Sequence, residues 1–314
     1  MSTLSLVVTL GDPRGIGPEV VASAIRRLRE QGKDPELTLV GPDELDPGLG
    51  AYEGVGRFDG SERSAGALSA RAVERAVHLA LAGSAAGIVT GPIHKPALRA
   101  AGFVDPGHTE MLQRITGVPD VGMLMATEET RLGAPLRVLL ATTHVPLRRV
   151  PDLLSSDLLI SQTMLLNSSL EANWGLASPR IALCALNPHA SDDGLFGDEE
   201  DRVFRPAVDA LRNAGVEVAG PISADTVFGR TLDGEYDAVV APYHDVGMAP
   251  FKTVAFGTGV NVTLGLPFVR TSPDHGTAFE IVGTGRADPS SMEAAITMAS
   301  RLAAARFDTL AAQM

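Results

Sequence analysis

Short apolar runs alternate along this chain with longer stretches of helical period, and that alternation limits its fold more than any other feature. Runs at 4–10, 37–40, 87–90, 136–141, 181–186, 238–241 and 260–264 have the length of buried strands. Between and after them, a helix from the turn GDPRGIGPEV to about Gln31 and stretches at 65–82, 206–214 and 291–304 place apolar residues at helical spacing. Strands alternating with helices predict a mostly parallel sheet covered on both faces. At 314 residues the chain suits two domains or one large α/β domain, and it shows no repeat or linker tract. Three of the seven histidines, His144, His189 and His244, each follow an apolar run, those at 136–141, 181–186 and 238–241. If those runs are parallel strands, the imidazoles emerge at the carboxyl edge of one sheet, where open α/β sheets bind ligands. Three neutral imidazoles converging there would hold a metal with positions left open for substrate. A lone histidine after a strand is more often a hydrogen-bonded structural residue; three in register are harder to dismiss.

Composition narrows the class. A formal charge of −12 without a Lys/Arg-rich run argues against nucleic acid or an anionic membrane as partner. No segment reaches the length of a membrane span, and the N-terminus MSTLSLVVTLGDP reads as a first strand rather than a signal peptide. The single cysteine, Cys184, excludes an intrachain disulfide and fits a cytoplasmic location. Its apolar setting reads as a small buried hydrophobe rather than a nucleophile.

Other motifs carry candidate chemistry. GDPRGIGPEV lacks the third glycine of a dinucleotide fingerprint, so that reading is rejected in favour of a tight strand-to-helix turn. In TGPIHKPAL, His94 and Lys95 lie just beyond a strand; Lys95 could hold an anion or act as a base, or be an exposed loop lysine. GHTEM sets His108 and Thr109 at a helix entry that suits an anion, although ordinary capping with Glu110 in the first turn is the plainer reading. Asp245 beside His244 could orient the imidazole or accept a proton. The acidic residues Asp192, Asp193, Asp198, Glu199, Glu200 and Asp201 lack EF-hand spacing and read as a solvated helix start. Lys252, Asn261 and Arg270, amid glycines, make a plausible anion clamp, unless that stretch is only a surface loop.

Taken in order, GDPxGIGPE, TGPIHK, GHTE, TTHxPL, LNPHA, ADTxF, YHDxG, Lys252 and GVNxTLGLPFxRTSxDHGTA resemble the 4-hydroxythreonine-4-phosphate dehydrogenase family of pyridoxal phosphate biosynthesis, from residue 5 to about 300. The resemblance implies an isocitrate/isopropylmalate-dehydrogenase-like α/β fold, two α/β lobes with an interdomain cleft. Lobe one would take 1–125 plus 253–314 and lobe two 126–252, the latter with the metal histidines and dimer interface. It implies a homodimer whose active site is built at the subunit interface, with His144, His189 and His244 on a divalent metal (zinc, magnesium or cobalt). Substrate contacts fall on His108, Thr109, Lys252, Asn261 and Arg270. The stretch DHGTAFEIVGTGRADP resembles the NAD-adenosine loop of isopropylmalate dehydrogenases, assigning NAD to His275, Gly276, Thr277, Ala278 and Glu280. Lys95 and Asp245 are the candidate bases. The implied reaction is NAD-dependent oxidation and decarboxylation of 4-phosphohydroxy-L-threonine to 3-amino-2-oxopropyl phosphate. Alternatives are another phosphorylated hydroxy acid (threonate or erythronate phosphate), a cyclic dihydrodiol dicarboxylate, or, in a different class, metal-dependent hydrolysis. Two departures lie beside metal ligands: NPHASDDG where the family commonly has NPHAGE-G, placing Ser191 for glycine, and YHDVG for YHDQG, placing Val246 for glutamine.

Overall fold

In the computed structural model, which describes residues 4–33, 35–105 and 107–313, the apolar runs are strands and the periodic stretches helices. Residues 1–3, at the head of the N-terminal stretch, lie outside that description. In chain order the elements are β1 (Leu6–Thr9), α1 (Gly17–Glu30), β2 (Leu37–Gly41), β3 (Ala51–Gly54), α2 (Glu62–Leu81), β4 (Gly87–Thr90), α3 (Lys95–Ala100) and α4 (His108–Thr116). There follow β5 (Gly122–Thr127), β6 (Leu136–Leu140), α5 (Val150–Leu153), α6 (Ser156–Trp174), β7 (Ile181–Cys184), α7 (Arg205–Asn213) and β8 (Val218–Ile222). The chain closes with α8 (Ala224–Leu232), β9 (Ala238–Ala241), α9 (His244–Ala255), β10 (Val260–Leu264), β11 (Val269–Pro273) and α10 (Ser290–Gln313). Local chemistry sets the ends. Pro18 occupies the first turn of α1, where a missing N–H costs nothing, and Gly32 just past its end takes φ +74°. Ser61 and Ser155 cap α2 and α6 by accepting from the N–H groups of Ser64 and Leu158 at 3.0 and 3.1 Å.

The chain divides into two units. One takes the described residues up to Val121 together with Val260–Asp308. Its strands lie in the order β3-β2-β1-β4-β11-β10, parallel except for the β10–β11 pair. Val7, Val40 and Ile88 pack with Val73, Ala76 and Val77 of α2, Leu98 of α3 and Met111 and Leu112 of α4. Alternation along the strands sends Leu6, Val8 and Leu39 to the opposite face, and they too are fully buried, so these strands are covered on both sides.

The other unit takes Gly122–Gly259 and the residues from Thr309. Its strands lie in the order β5-β6-β9-β7-β8, with β5 antiparallel to β6 and the rest parallel. One face buries Val138, Ala182, Cys184, Val239 and Ala241 against α8 and α9 through Val227, Phe228, Met248 and Phe251. Leu140 stands opposite Ala241 and Leu183 opposite Val240, so β6, β9 and β7 end together. His144, His189 and His244 come directly after those three ends.

The α/β class and the mostly parallel pairing are as expected. Two readings are corrected. The glycine-rich stretch near Arg270 is not a surface loop: β11 is buried at all five positions, which the flanking glycines mask in the sequence. The acidic run is not uniformly solvated either. Asp198 and Asp201 are exposed and meet Arg202 and Arg205, whereas Glu200 is fully buried because backbone N–H groups surround it. Among the described residues no helix is long and apolar enough to cross a membrane.

Candidate active site

A polar row crosses the strand ends of the first unit. Thr9 pairs with Thr90 and Asn261 with Ser272, and one step beyond the Thr271–Val89 pair Thr90 adjoins Ser272. Arg270, two residues before Ser272 on β11, shares that face and is only 2% exposed. Its guanidinium donates to Thr263 Oγ1 at 2.8 Å and Thr90 Oγ1 at 2.7 Å. These bonds go to hydroxyls, not to a carboxylate, and burial lowers its pKa to about 10. A buried guanidinium without an acid is expensive unless an anion completes it. Around it, Arg270 Nε, His108 Nε2, Asn261 Oδ1 and Thr9 Oγ1 are all buried without a hydrogen-bond partner among the described residues. Burial first, then the Arg270 charge, holds His108 well below the usual histidine range, so its ring is neutral.

His108 opens α4. Gly107 at the cap makes no side-chain capping bond, and Glu110 stands in the first turn, its Oε2 3.4 Å from where a Cβ on Gly107 would lie. Thr109 follows in the same turn and is half-buried. Lys95 starts α3 and is exposed, and its stem approaches this cap: a Cβ on Gly107 would lie 3.6 Å from Lys95 Cε.

The histidines of the second unit are held on loops. Thr142 Oγ1 donates to the Pro242 carbonyl at 2.8 Å, tying the loop after β6 to the end of β9. The rings of His144 and His244 thereby come within 5.6 Å, centroid to centroid. His244 is the first residue of α9, and its Nδ1–H donates to Asp245 Oδ1 at 2.7 Å. That bond leaves Nε2 for an ion, the arrangement found in ligating histidines. His189 lies exposed on the next loop, at φ +52°. Among the described residues no group of three His, Cys, Asp or Glu side chains stands close enough to hold a metal, so His189 does not join the pair within one chain. Lys252 is half-buried on α9. Cys184 is buried, and burial pushes its thiol up to about 12, in keeping with a packing role.

The candidate cofactor stretch docks on the β1–α1 turn. Ile16 N donates to the Thr277 carbonyl at 2.9 Å, and a Cβ on Gly15 would strike that carbonyl oxygen at 2.8 Å. His275 Nδ1 meets the Gly276 carbonyl at 3.0 Å while its Nε2 is buried without a partner among the described residues. Ala278 turns the chain at φ +43°, and Glu280 is exposed in the short turn after it. Phe279 meets the His94 ring edge-on at 4.9 Å and lies under the Arg14 guanidinium at 5.3 Å. Arg14 in turn grips the fully buried Asp12 through bonds of 3.1 and 2.9 Å. Sequence reasoning missed this Arg14–His94–Phe279 stack; nothing in the spacing of residues 14, 94 and 279 announces it.

Histidine-bearing loops at strand ends, and a strand-borne guanidinium lacking an acid, are the make-up of an α/β enzyme with its chemistry at the carboxyl ends of its strands. The family model described as pyridoxal phosphate biosynthetic protein PdxA matches residues 19–299. The 4-hydroxythreonine-4-phosphate dehydrogenase of Paracoccus denitrificans is 40% identical, covering 96% of this chain and 98% of the relative. The D-threonate 4-phosphate dehydrogenase of Salmonella typhimurium is 39% identical, over 96% and 100%. The solved structure of 4-hydroxythreonine-4-phosphate dehydrogenase from Klebsiella pneumoniae has a TM-score of 0.85 at 38% identity, over 96% and 98%. The chain belongs to the PdxA family, and with it to the oxidoreductases.

Proposed function

We propose that the protein oxidises and decarboxylates 4-phosphohydroxy-L-threonine to 3-amino-2-oxopropyl phosphate, with NAD as hydride acceptor and a divalent metal, as a homodimer. The observation that carries this reading is Arg270, a fully buried guanidinium that among the described residues bonds only to threonine hydroxyls, with polar atoms of His108 and Asn261 near by on the same unit that find no partner there. A phosphate supplies the missing negative charge and acceptors for N–H groups at the head of α4. Thr109 and Lys252 complete the substrate set by resemblance.

The second unit fits a divalent ion. His144 and His244 would hold it, with Asp245 fixing the His244 tautomer, and His189 from a second copy would add the third imidazole. The exposed apolar side chains Val145, Leu147, Leu195 and Phe196, on the same loops as His144 and His189, support cover by a second copy. When bound, such an ion polarises the oxygen of the reacting alcohol and of the ketone that replaces it. The chain's own groups do the rest. Asp245 is engaged with His244, whereas the Lys95 stem approaches the head of the His108 helix, which favours Lys95 as acceptor of the alcohol proton. NAD, when bound, would supply the hydride acceptor, and the resulting β-keto acid would lose CO₂ by cleavage of its C–C bond. Glu280, exposed on the loop that carries His275, Gly276, Thr277 and Ala278, would accept the ribose hydroxyls and so favour NAD.

The near match to a D-threonate 4-phosphate dehydrogenase favours that substrate class as a second reading. Assays with both phosphorylated acids, with and without chelator, separate the two. Metal-dependent NADH formation from the threonine derivative is expected, and His189→Ala should lose it together with bound metal while staying folded. Turnover of D-threonate 4-phosphate alone selects the second reading. Ester hydrolysis without any NAD effect on thermal stability sinks both.

A further inference from the structure

The buried carboxylate of Glu200 takes no part in the proposed reaction. It opens the short helical turn Glu200–Phe204 that leads into α7 and is 0% exposed. Its Oε1 accepts from the backbone N–H of Leu186 at 2.9 Å and of Asn187 at 2.8 Å, and its Oε2 accepts from Asn187 Nδ2 at 2.9 Å. Asn187 Nδ2 also donates to Glu199 Oε2 at 2.8 Å. Every one of these bonds converges on the residues just before Pro188-His189. A carboxylate is costly to remove from water, and here N–H groups rather than a cation offset that cost.

The backbone beyond Pro188 is strained. His189, Ala190, Ser191, Asp192 and Asp193 all have positive φ, from +47° to +68°. L-residues visit this region singly, at roughly 1–2 kcal/mol each, and a run of five persists only when its surroundings impose it. On the far side Phe196 N and Gly194 N return to the Ser191 carbonyl and hydroxyl at 3.1 and 3.2 Å. On the near side the anchor is the Glu200–Asn187 clasp. Gly197 is shaped around it: a Cβ there would fall 2.8 Å from Asn187 Nδ2.

We propose that Glu200 is a positioning residue for His189, clasping the start of the loop so that the strained left-handed turn presents the imidazole outward in one orientation. The inference rests on the proposed role of His189 as a metal ligand.

The test is Co²⁺ titration by calorimetry and visible absorption, on the full chain, with metal-free Tm measured alongside. In Glu200→Gln one side-chain oxygen becomes an NH₂ that faces an N–H donor, so Co²⁺ affinity should fall about tenfold or more and the cobalt band should change shape. Glu199→Gln, at a partly exposed position that shares only Asn187 Nδ2, should stay within about twofold. A folded Glu200→Gln protein with wild-type affinity and spectrum overturns the proposal, even if its Tm has dropped. If Glu200→Gln does not fold, Asn187→Ala decides: it keeps the two backbone bonds and removes the side-chain bridge. Weakened Co²⁺ with an altered band supports the clasp, and wild-type binding refutes it. If the wild type takes up no Co²⁺, or His189→Ala binds it as tightly, the metal reading itself falls.

Discussion

The two units hold their candidate residues in opposite ways. In the first unit Arg270, Asn261, Thr90 and Thr263 project from strands, bonded side to side and largely withdrawn from water. In the second, His144 and His189 stand exposed on loops, and the Thr142–Pro242 bond, the His244–Asp245 pair and the Glu200 clasp are among the contacts that organise them. A strand-borne charge is fixed before any ligand arrives, and its desolvation cost is carried by the fold. A loop-borne imidazole stays in contact with water and so carries little desolvation cost. The set on the first unit is therefore preorganised by its strands, and the set on the second depends on its loops.

That contrast can be broken most decisively at Arg270. Arg270→Met keeps the bulk and removes the cation, so kcat/KM for the phosphorylated substrate should fall about a hundred- to a thousandfold, the scale of losing one partner of a desolvated charge pair. An unphosphorylated analogue should lose far less, and folding stability should hold or rise, since no acid is left unpaired. Equal losses on both substrates would mean that Arg270 only supports the strands.

A smaller effect lies in pH. Because the folded-state pKa of His108 is held well below 6.5, the unfolded chain binds a proton there that the folded chain refuses. His108 therefore costs nothing above pH 6.5, and stability falls as pH drops below it, by at most about 1.4 kcal/mol per pH unit until the folded pKa is reached. His108→Asn should flatten this limb in denaturant unfolding measured across mildly acid pH. Parallel curves for the two proteins would show a histidine that titrates freely, and the buried half would lose its neutral donor.

The smallest effect belongs to the loop half. Ala190 has φ +53°, where a Cβ is strained and glycine is not. Ala190→Gly should stabilise the protein by about 1 kcal/mol in the same unfolding assay. A loss of stability would mean that the left-handed turn is not strained, and the need for a clasp would weaken with it.

Much of the frame was legible in the residues. The runs at 87–90, 238–241 and 260–264 became strands at those same positions, and His144, His189 and His244 do come after strands that end together. Pro18 marked a helix start correctly because its constraint is local. What failed was reading burial from chemical type. Glu200 looks like its neighbours Asp198 and Asp201, yet it alone is enclosed, and no periodicity separates a buried acid from a solvated one. Val269–Pro273 hid between glycines because a strand covered on both faces shows no alternation. The Arg14–His94–Phe279 stack joins residues far apart in the chain.

The order of apolar runs and periodic stretches by itself determined an α/β chain with three histidines at strand ends, since side-chain periodicity is a local property of the backbone. The motif order determined the family. Tertiary structure alone decided that Arg270 meets no acid among the described residues, that burial beside Arg270 holds the His108 pKa down, that Glu200 is enclosed by N–H groups and that His189 sits in a left-handed turn. Each of these depends on what distant segments bring within a few ångströms. Desolvation and backbone strain are set by neighbours in space, and the residue names alone do not carry them.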